Sequence, residues 1–538
     1  MSRPATKIAG ALFFLAVFGS IGFFLVWSDA QNRQVAQRTL LLGLGAGLVA
    51  VPLGALIAWV CRARSIVSSV LLLTCVGLVF MPLFLQVSAW DSALGKLGWF
   101  STRGDSLQPL LTGWSAAIWI HGVAAAPQVG LILFLGIAMF GRTQDEQALL
   151  DASSAAVFWN VTIRRMTPLV LIGFAWTLVI SAREIAVTDI YQIGTLAEQI
   201  YLGYSLGQFN TGLTLWSDEA IAQAESTSWQ LSVTVIFWIV VIFVLAMVRY
   251  FRGYHESNHW IDNTGLDQRI SFVKGCVGVL VGGVIAVVPL GNLFLRSSFA
   301  VRRVENEPVA EHSIGQFMRS ISQVFSEYAV EFQWSLAIAT VSAVLLVVSA
   351  VWFAWLAVES RAWRLMFVLS IGGLAAIPGP LLGVGVVELF TMTSQGWVAY
   401  FFDRTIFPTV LVVTAFCWPL VALFTYGVLA ATTTDALENA RLEGAGRLTR
   451  LLRIACGQNV LGIAGCFLFA FVLGFGELSA SQMVLPAGID TVPRRMLGLL
   501  HSGVNELTAA FSIVNFVVIF VVAMVGWQFI RKTRRNSG

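Results

Sequence analysis

Long apolar runs alternate with short polar stretches along the whole chain, and run length decides what each becomes. About 20 mostly apolar residues in helical form cross the hydrocarbon core of a bilayer, because only an internally hydrogen-bonded backbone is tolerated where water is absent. Twelve runs meet that length: 8–27, 40–60, 66–87, 114–140, 168–185, 229–248, 275–295, 335–358, 362–389, 407–430, 460–478 and 506–529. The shortest is 168–185, and 362–389 carries Pro378 and Pro380, where a break is expected. Six runs precede the polar stretch 251–274 and six follow it.

Two stretches need separate treatment. The first run, with Arg3 and Lys7 before it and Ser28-Asp29-Ala30 after it, has the outline of a cleavable leader. Its length exceeds the roughly 7–15 apolar residues of such segments, so it is read as a retained helix. Between the seventh and eighth runs, Ile314, Phe317, Met318, Ile321, Val324, Phe325 and Tyr328 fall at helical spacing. That spacing predicts an amphipathic helix, either lying at the outer interface or packed on neighbouring spans.

Composition removes the soluble classes. Of 538 residues, 57% are hydrophobic and 12% charged, with a mean hydropathy of +0.80, whereas a soluble domain carries about 25% charge. The fold class is an all-α polytopic membrane protein. Lys and Arg collect on the cytoplasmic side, and an N-terminus placed inside puts 21 of the 33 basic residues there, among them Arg142, Arg164, Arg165, Arg441, Arg447, Arg450 and Arg453. Both chain ends are then cytoplasmic. The net charge of +4 is met by anionic lipid headgroups and calls for no nucleic acid. Six scattered cysteines without CxxC spacing read as small apolar residues, with no metal or disulfide role.

The pattern also repeats. Glu146-Gln-Ala-Leu-Leu-Asp-Ala152 and Glu438-Asn-Ala-Arg-Leu-Glu-Gly444 lie 292 residues apart (438 − 146) and keep Glu146/Glu438, Ala148/Ala440, Leu150/Leu442 and Asp151/Glu443 in register. Val241-Ile-Phe-Val-Leu-Ala-Met-Val248 recurs as Val518-Ile-Phe-Val-Val-Ala-Met-Val525, with seven of eight residues identical, and Arg183-Glu184 recurs loosely as Gly476-Glu477. Six spans per half is an even number, so the halves enter the membrane the same way round as parallel repeats. The expected organisation is a first repeat over 1–250 with its loop at 142–167, a cytoplasmic linker at 251–274, and a second repeat over 275–538 with its loop at 431–458. In the second loop, helix formers follow Thr432-Thr-Thr-Asp435, an N-cap cluster, and Gly444 stands where a helix could turn.

Glu438-Asn-Ala-Arg-Leu-Glu-Gly-Ala445 resembles the "EAA" loop of permease subunits in binding-protein-dependent ABC importers, whose pattern is E-A-A, three residues, then G. The resemblance implies the MetI-like permease fold, with coupling helices that fit clefts on two separate ATP-hydrolysing subunits. It assigns that docking to Glu438, Ala440, Glu443 and Gly444 in one half, and to Glu146, Ala148, Asp151 and Ala152 in the other. An external substrate-binding protein is implied as a further partner. Permeases that fuse two such halves are similar to those of ferric-iron and thiamine uptake, which makes ferric iron the first expected cargo and thiamine the second. Ile377-Pro-Gly-Pro-Leu-Leu-Gly383 looks like the Pro-Gly segment in the third span of such halves, and equally like a proline kink. Gln147, Ala152 and Asn439 depart from the pattern, so two unequal coupling helices are expected.

Chemistry carried by the chain itself is sparse. The phosphate-cradling G-x-x-x-x-G-K-[ST] loop is missing, because none of Lys7, Lys96, Lys274 and Lys532 sits in one. ATP is therefore expected on partner chains, with no cofactor on this one and no enzymatic activity of its own. Charges at membrane depth mark function by default. Arg183, Glu184 and Glu477 lie at the outer ends of their spans, Glu388 closes the ninth, and with Pro378 and Pro380 they are candidates for an outer gate or for paired interfacial charges. His121 reads as a helix-packing residue. His255 and His259 have metal-pair spacing but lie in the polar linker, where a solvated face serves as well. A secondary transporter shares the span count, but the coupling-ion groups it normally carries near mid-membrane are almost absent here.

Overall fold

Among the described residues the apolar runs fold as helices, interrupted where a proline or a bend breaks the hydrogen-bond ladder. The structure, a computed structural model, describes residues 30–63, 65–95, 109–140, 148, 150–157, 160, 163–205, 272–304, 307–391, 396–430 and 432–536. The expected spans at 8–27 and 229–248, residue Glu146 and most of the linker 251–274 lie outside the described residues.

The first part comprises α1 (Ala30–Cys61), α2 (Ile66–Leu78), α3 (Leu83–Leu94), α4 (Gly113–Phe140), α5 (Ile163–Arg183), α6 (Ala186–Ile190) and α7 (Leu196–Ser205). The second opens with α8 (Phe272–Ser297), which contains a wide turn at Gly283–Val287, and continues through a hairpin of β1 (Phe299–Val304) and β2 (Glu307–His312) to α9 (Ile314–Glu327). Then come α10 (Ala329–Glu359), α11 (Arg361–Ala376), α12 (Gly379–Thr391), α13 (Gly396–Arg404) and α14 (Phe407–Leu429). The chain closes with α15 (Thr434–Leu442), α16 (Arg447–Gln458), α17 (Val460–Phe475), α18 (Val492–His501) and α19 (Glu506–Asn536).

Among the described residues, six helices are long and apolar enough to cross a membrane, or nine if each bent pair counts as one span, and Leu169–Arg183 is a shorter apolar helix. The protein is multi-pass and helical. Ten of the twelve expected runs coincide with one of these elements. Run 66–87 is corrected in shape: it is not one straight span but α2 and α3, bent by 112°. The physical cause is Pro82, which lacks the N–H to continue the ladder and caps α3 in an extended conformation (φ −59°, ψ 150°). Run 362–389 breaks where expected, by 99°, with Ile377 pushed to an extended conformation (φ −75°, ψ 124°) by the ring of Pro378. A third bend of 85° separates α16 from α17 at Asn459.

Two similar trios result. Helix α1 packs on α4 and α5, and α10 packs on α14 and α17. The α1/α4 contact is close because a Cβ at Gly54 would stand 2.9 Å from the Gly130 nitrogen, and one at Gly130 would stand 2.9 Å from Ile57 Cβ. Small residues let membrane helices approach to this range, where dispersion drives their association. Between the trios, α19 packs on α2 and α3, α7 on α12, and α18 on α3. The amphipathic helix forms as α9, capped by Ser313 on the Gly315 N–H. It turns Val324 and the following Tyr328 inward and leaves Ile314, Met318 and Phe325 exposed. The hairpin before it had no counterpart in the sequence reading.

Candidate functional site

The gate candidates converge on the seam between the two trios. Arg183, the last residue of α5 and 7% exposed, donates from Nη2 to the Phe416 carbonyl (2.9 Å) and from Nε to the Ile377 carbonyl (3.3 Å). Its guanidinium carbon lies 3.9 Å from the centre of the Phe416 ring. The Ile377 carbonyl is left over by the helix break at Pro378, so the arginine satisfies a group that the bend created. One residue further on, Glu184 accepts from the Val187 N–H (3.2 Å), and the Ile185 N–H donates to Ser479 Oγ (3.3 Å) across the seam.

Glu477 sits on the other side of that contact, 6% exposed, and turns back on its own loop. Its Oε1 accepts from the Ala480 N–H (2.6 Å) and its Oε2 from the Ser481 N–H (2.9 Å). Two charge-assisted bonds of this kind fix the turn after α17. The segment with Pro378 and Pro380 lies directly against it: a Cβ at Gly379 would stand 2.6 Å from Ser479 Cβ, and one at Gly383 would stand 2.7 Å from the Ala480 carbonyl oxygen. The register counterpart of Arg183, Gly476, meets the other bent pair, where an added Cβ would come within 2.5 Å of Pro82 Cγ. Each fifth-span end thus reaches the proline break of the opposite trio. Arg183, Glu184, Glu477, Pro378 and Pro380 are brought together, while Glu388 lies later on α12.

His121 is buried, and its Nδ1 donates to the Ala117 carbonyl within the same helix (2.9 Å). That contact fits a packing role.

The docking candidates form a separate feature. Helix α15 starts within the expected cap cluster, with Thr433 as N-cap, but the Thr433 side chain makes no capping bond. The Thr433 hydroxyl instead donates to Gln458 Oε1 (3.3 Å), and Thr432 is drawn inward, donating to Leu429 and accepting from Asn459 Nδ2 (3.0 Å). At the other end Gly444 adopts φ +79°. Its N–H donates to the Arg441 carbonyl (3.0 Å) and the Ala445 N–H to the Ala440 carbonyl (2.9 Å), the paired pattern of a Schellman close. Glu438, Glu443 and Gly444 are exposed, Ala440 is buried, and Leu442 stands out at 86% exposed. In the first copy, Ala148 is half-buried, Asp151 and Ala152 are exposed, and Leu150 stands out at 84%. Both copies tuck in the alanine and present the leucine.

One residue that the sequence reading passed over ties the second loop down. Glu359, the end of α10, pairs with Arg450 (2.6 Å), Arg447 (2.8 Å) and Arg441 (3.8 Å). Its only signal in the sequence was an acid closing an apolar run, opposite a loop with four arginines.

Comparison of the chain with family models, with curated proteins and with solved structures finds no match.

Proposed function

We propose that the protein is the transmembrane permease of an ATP-binding-cassette importer in a bacterial inner membrane. It has twelve spans in two parallel halves, and both termini are cytoplasmic. The observation that carries this reading is the pair of knuckles around Leu150 and Leu442. A large apolar side chain more than four-fifths exposed, on a polar loop and repeated at one register, fits a docking point for a partner better than a connector. Two ATPase subunits, one for each knuckle, would close on ATP and push on 146–152 and 438–444. The trios would then rock against each other across the Arg183 seam. An external binding protein would supply the solute, with ferric iron first and thiamine second on the resemblance of the fused halves.

A secondary active transporter is the alternative, and the buried charges at the seam are what favour it. Those charges already have partners: Arg183 donates from Nε and Nη2 to two carbonyls, and Glu477 accepts from two N–H groups. Groups so occupied hold structure more readily than they carry protons. Vesicles reconstituted with the chain and its ATPase separate the two readings. Uptake with ATP and no ion gradient is expected, and uptake driven by a gradient alone rejects the permease.

A further inference from the structure

The second knuckle is fastened to a membrane helix by a carboxylate. The Glu359 side chain is only 6% exposed, although its partners Arg441 and Arg447 are about half exposed. Both carboxylate oxygens are engaged: Oε1 by Arg450 Nη2 (2.6 Å) and Nε (3.2 Å), and Oε2 by Arg447 Nε (2.8 Å). The Arg450 fork does a second thing. Its Nη1 donates to the Ala445 carbonyl (2.6 Å), the residue whose N–H closes α15 behind Gly444. One guanidinium therefore joins the closing turn of the knuckle to the end of α10, a 31-residue helix. Short charge-assisted bonds with a planar fork fix orientation as well as distance.

Position by position, the first copy lacks these parts. The 292-residue register puts Leu149, Ala155 and Phe158 where Arg441, Arg447 and Arg450 stand, and the residues closing α1, Cys61-Arg62-Ala63-Arg64, include no acid. We infer that Glu359 is a positioning residue that fastens the second knuckle to α10 as a lever, through a set of side chains that the first copy does not carry at the same register. A push on the second knuckle then acts directly on α10. The lever role rests on the permease reading, whereas the fastening does not.

The test uses the full chain in lipid nanodiscs and in vesicles with its ATPase partner, as wild type, Glu359→Gln, Glu359→Asp and Arg447→Gln. Amide exchange across 436–445 is expected to quicken by about tenfold or more in Glu359→Gln, the scale of a lost charge-assisted bond, while the middle of α10 is unchanged. Glu359→Asp is expected to restore part of the protection. Arg447→Gln keeps the Arg450 pair and should shift exchange in the same direction by less, so the test survives if Glu359→Gln fails to fold. Solute carried per ATP hydrolysed should fall with exchange protection while ATPase co-purification holds, a split that mere structural support would not produce. Unchanged exchange in both neutral variants overturns the fastening. Faster exchange with unchanged solute per ATP overturns the lever alone. A wild-type chain that carries solute without ATP overturns the lever and the permease reading together, and leaves the exchange result as the distinguishing arm.

Discussion

Gly444→Val isolates the closing turn of the second knuckle. Gly444 holds φ +79°, and no atom lies within 4 Å of where its Cβ would stand. The cost of a side chain there is therefore backbone strain without any clash. A β-branched residue in the left-handed region costs about 2 kcal/mol and alanine about 1 kcal/mol. At about 1.4 kcal/mol per factor of ten, valine should raise the open fraction of the turn by about 30-fold. The amides at 444 and 445, which bond to Arg441 and Ala440, are the reporters. Their hydrogen exchange in the intact chain should accelerate by that factor, with alanine intermediate. Gly446 is the control, since it is equally open but sits at φ −63°, where alanine is allowed. Gly446→Ala should leave exchange at 444 and 445 unchanged. If Gly444→Val protects those amides as well as glycine does, the left-handed close and the knuckle built on it are refuted.

Three further outcomes concern the seam. Arg183→Gln removes two carbonyl bonds and the ring contact at a buried site, and should cost about 2–4 kcal/mol in thermal unfolding; Arg183→Lys should recover little, since one ammonium cannot reproduce the fork. Gly383→Ala forces a Cβ to 2.7 Å from the Ala480 carbonyl, backbone that cannot swing aside, and should cost about 1–3 kcal/mol, while Gly385→Ala, with open space, should be near neutral by the same melt. Glu477→Gln keeps one acceptor but turns an NH₂ toward an N–H, so a loss of about 1–3 kcal/mol is expected, and an unchanged melting temperature would mean the turn after α17 does not depend on those bonds.

The positions of the ten described runs were legible because run length is a one-dimensional property that the bilayer imposes. The bend at Pro378 could be read too, where Pro-Gly-Pro stands in one run. Pro82 was not, because a single proline amid Val79, Phe80 and Met81 leaves the apolar run unbroken while still removing a backbone donor. The hairpin 299–312 escaped notice because its strands are short and carry Arg302, Arg303, Glu307 and Glu311. At the candidate sites, the 292-residue register located both exposed leucines, since it compares the chain with itself. Contacts such as Arg183 with Ile377 and Phe416, 194 and 233 residues away, have no local signature. Neither does the Glu359 cluster, which depends on the end of α10 meeting α15 and the start of α16.

The most direct measurement is to place a photo-activated cross-linker at Leu442 in living cells and identify what it captures. Leu442 is 86% exposed and is not one of the residues that hold the knuckle in shape, so the probe reports the surface without dismantling it. The permease account predicts capture of an ATP-hydrolysing subunit, abolished by Glu438→Lys, and the same partner from a probe at Leu150. Capture of neither, or labelling of Leu442→Cys by a thiol reagent confined to the outside of the cell, contradicts it.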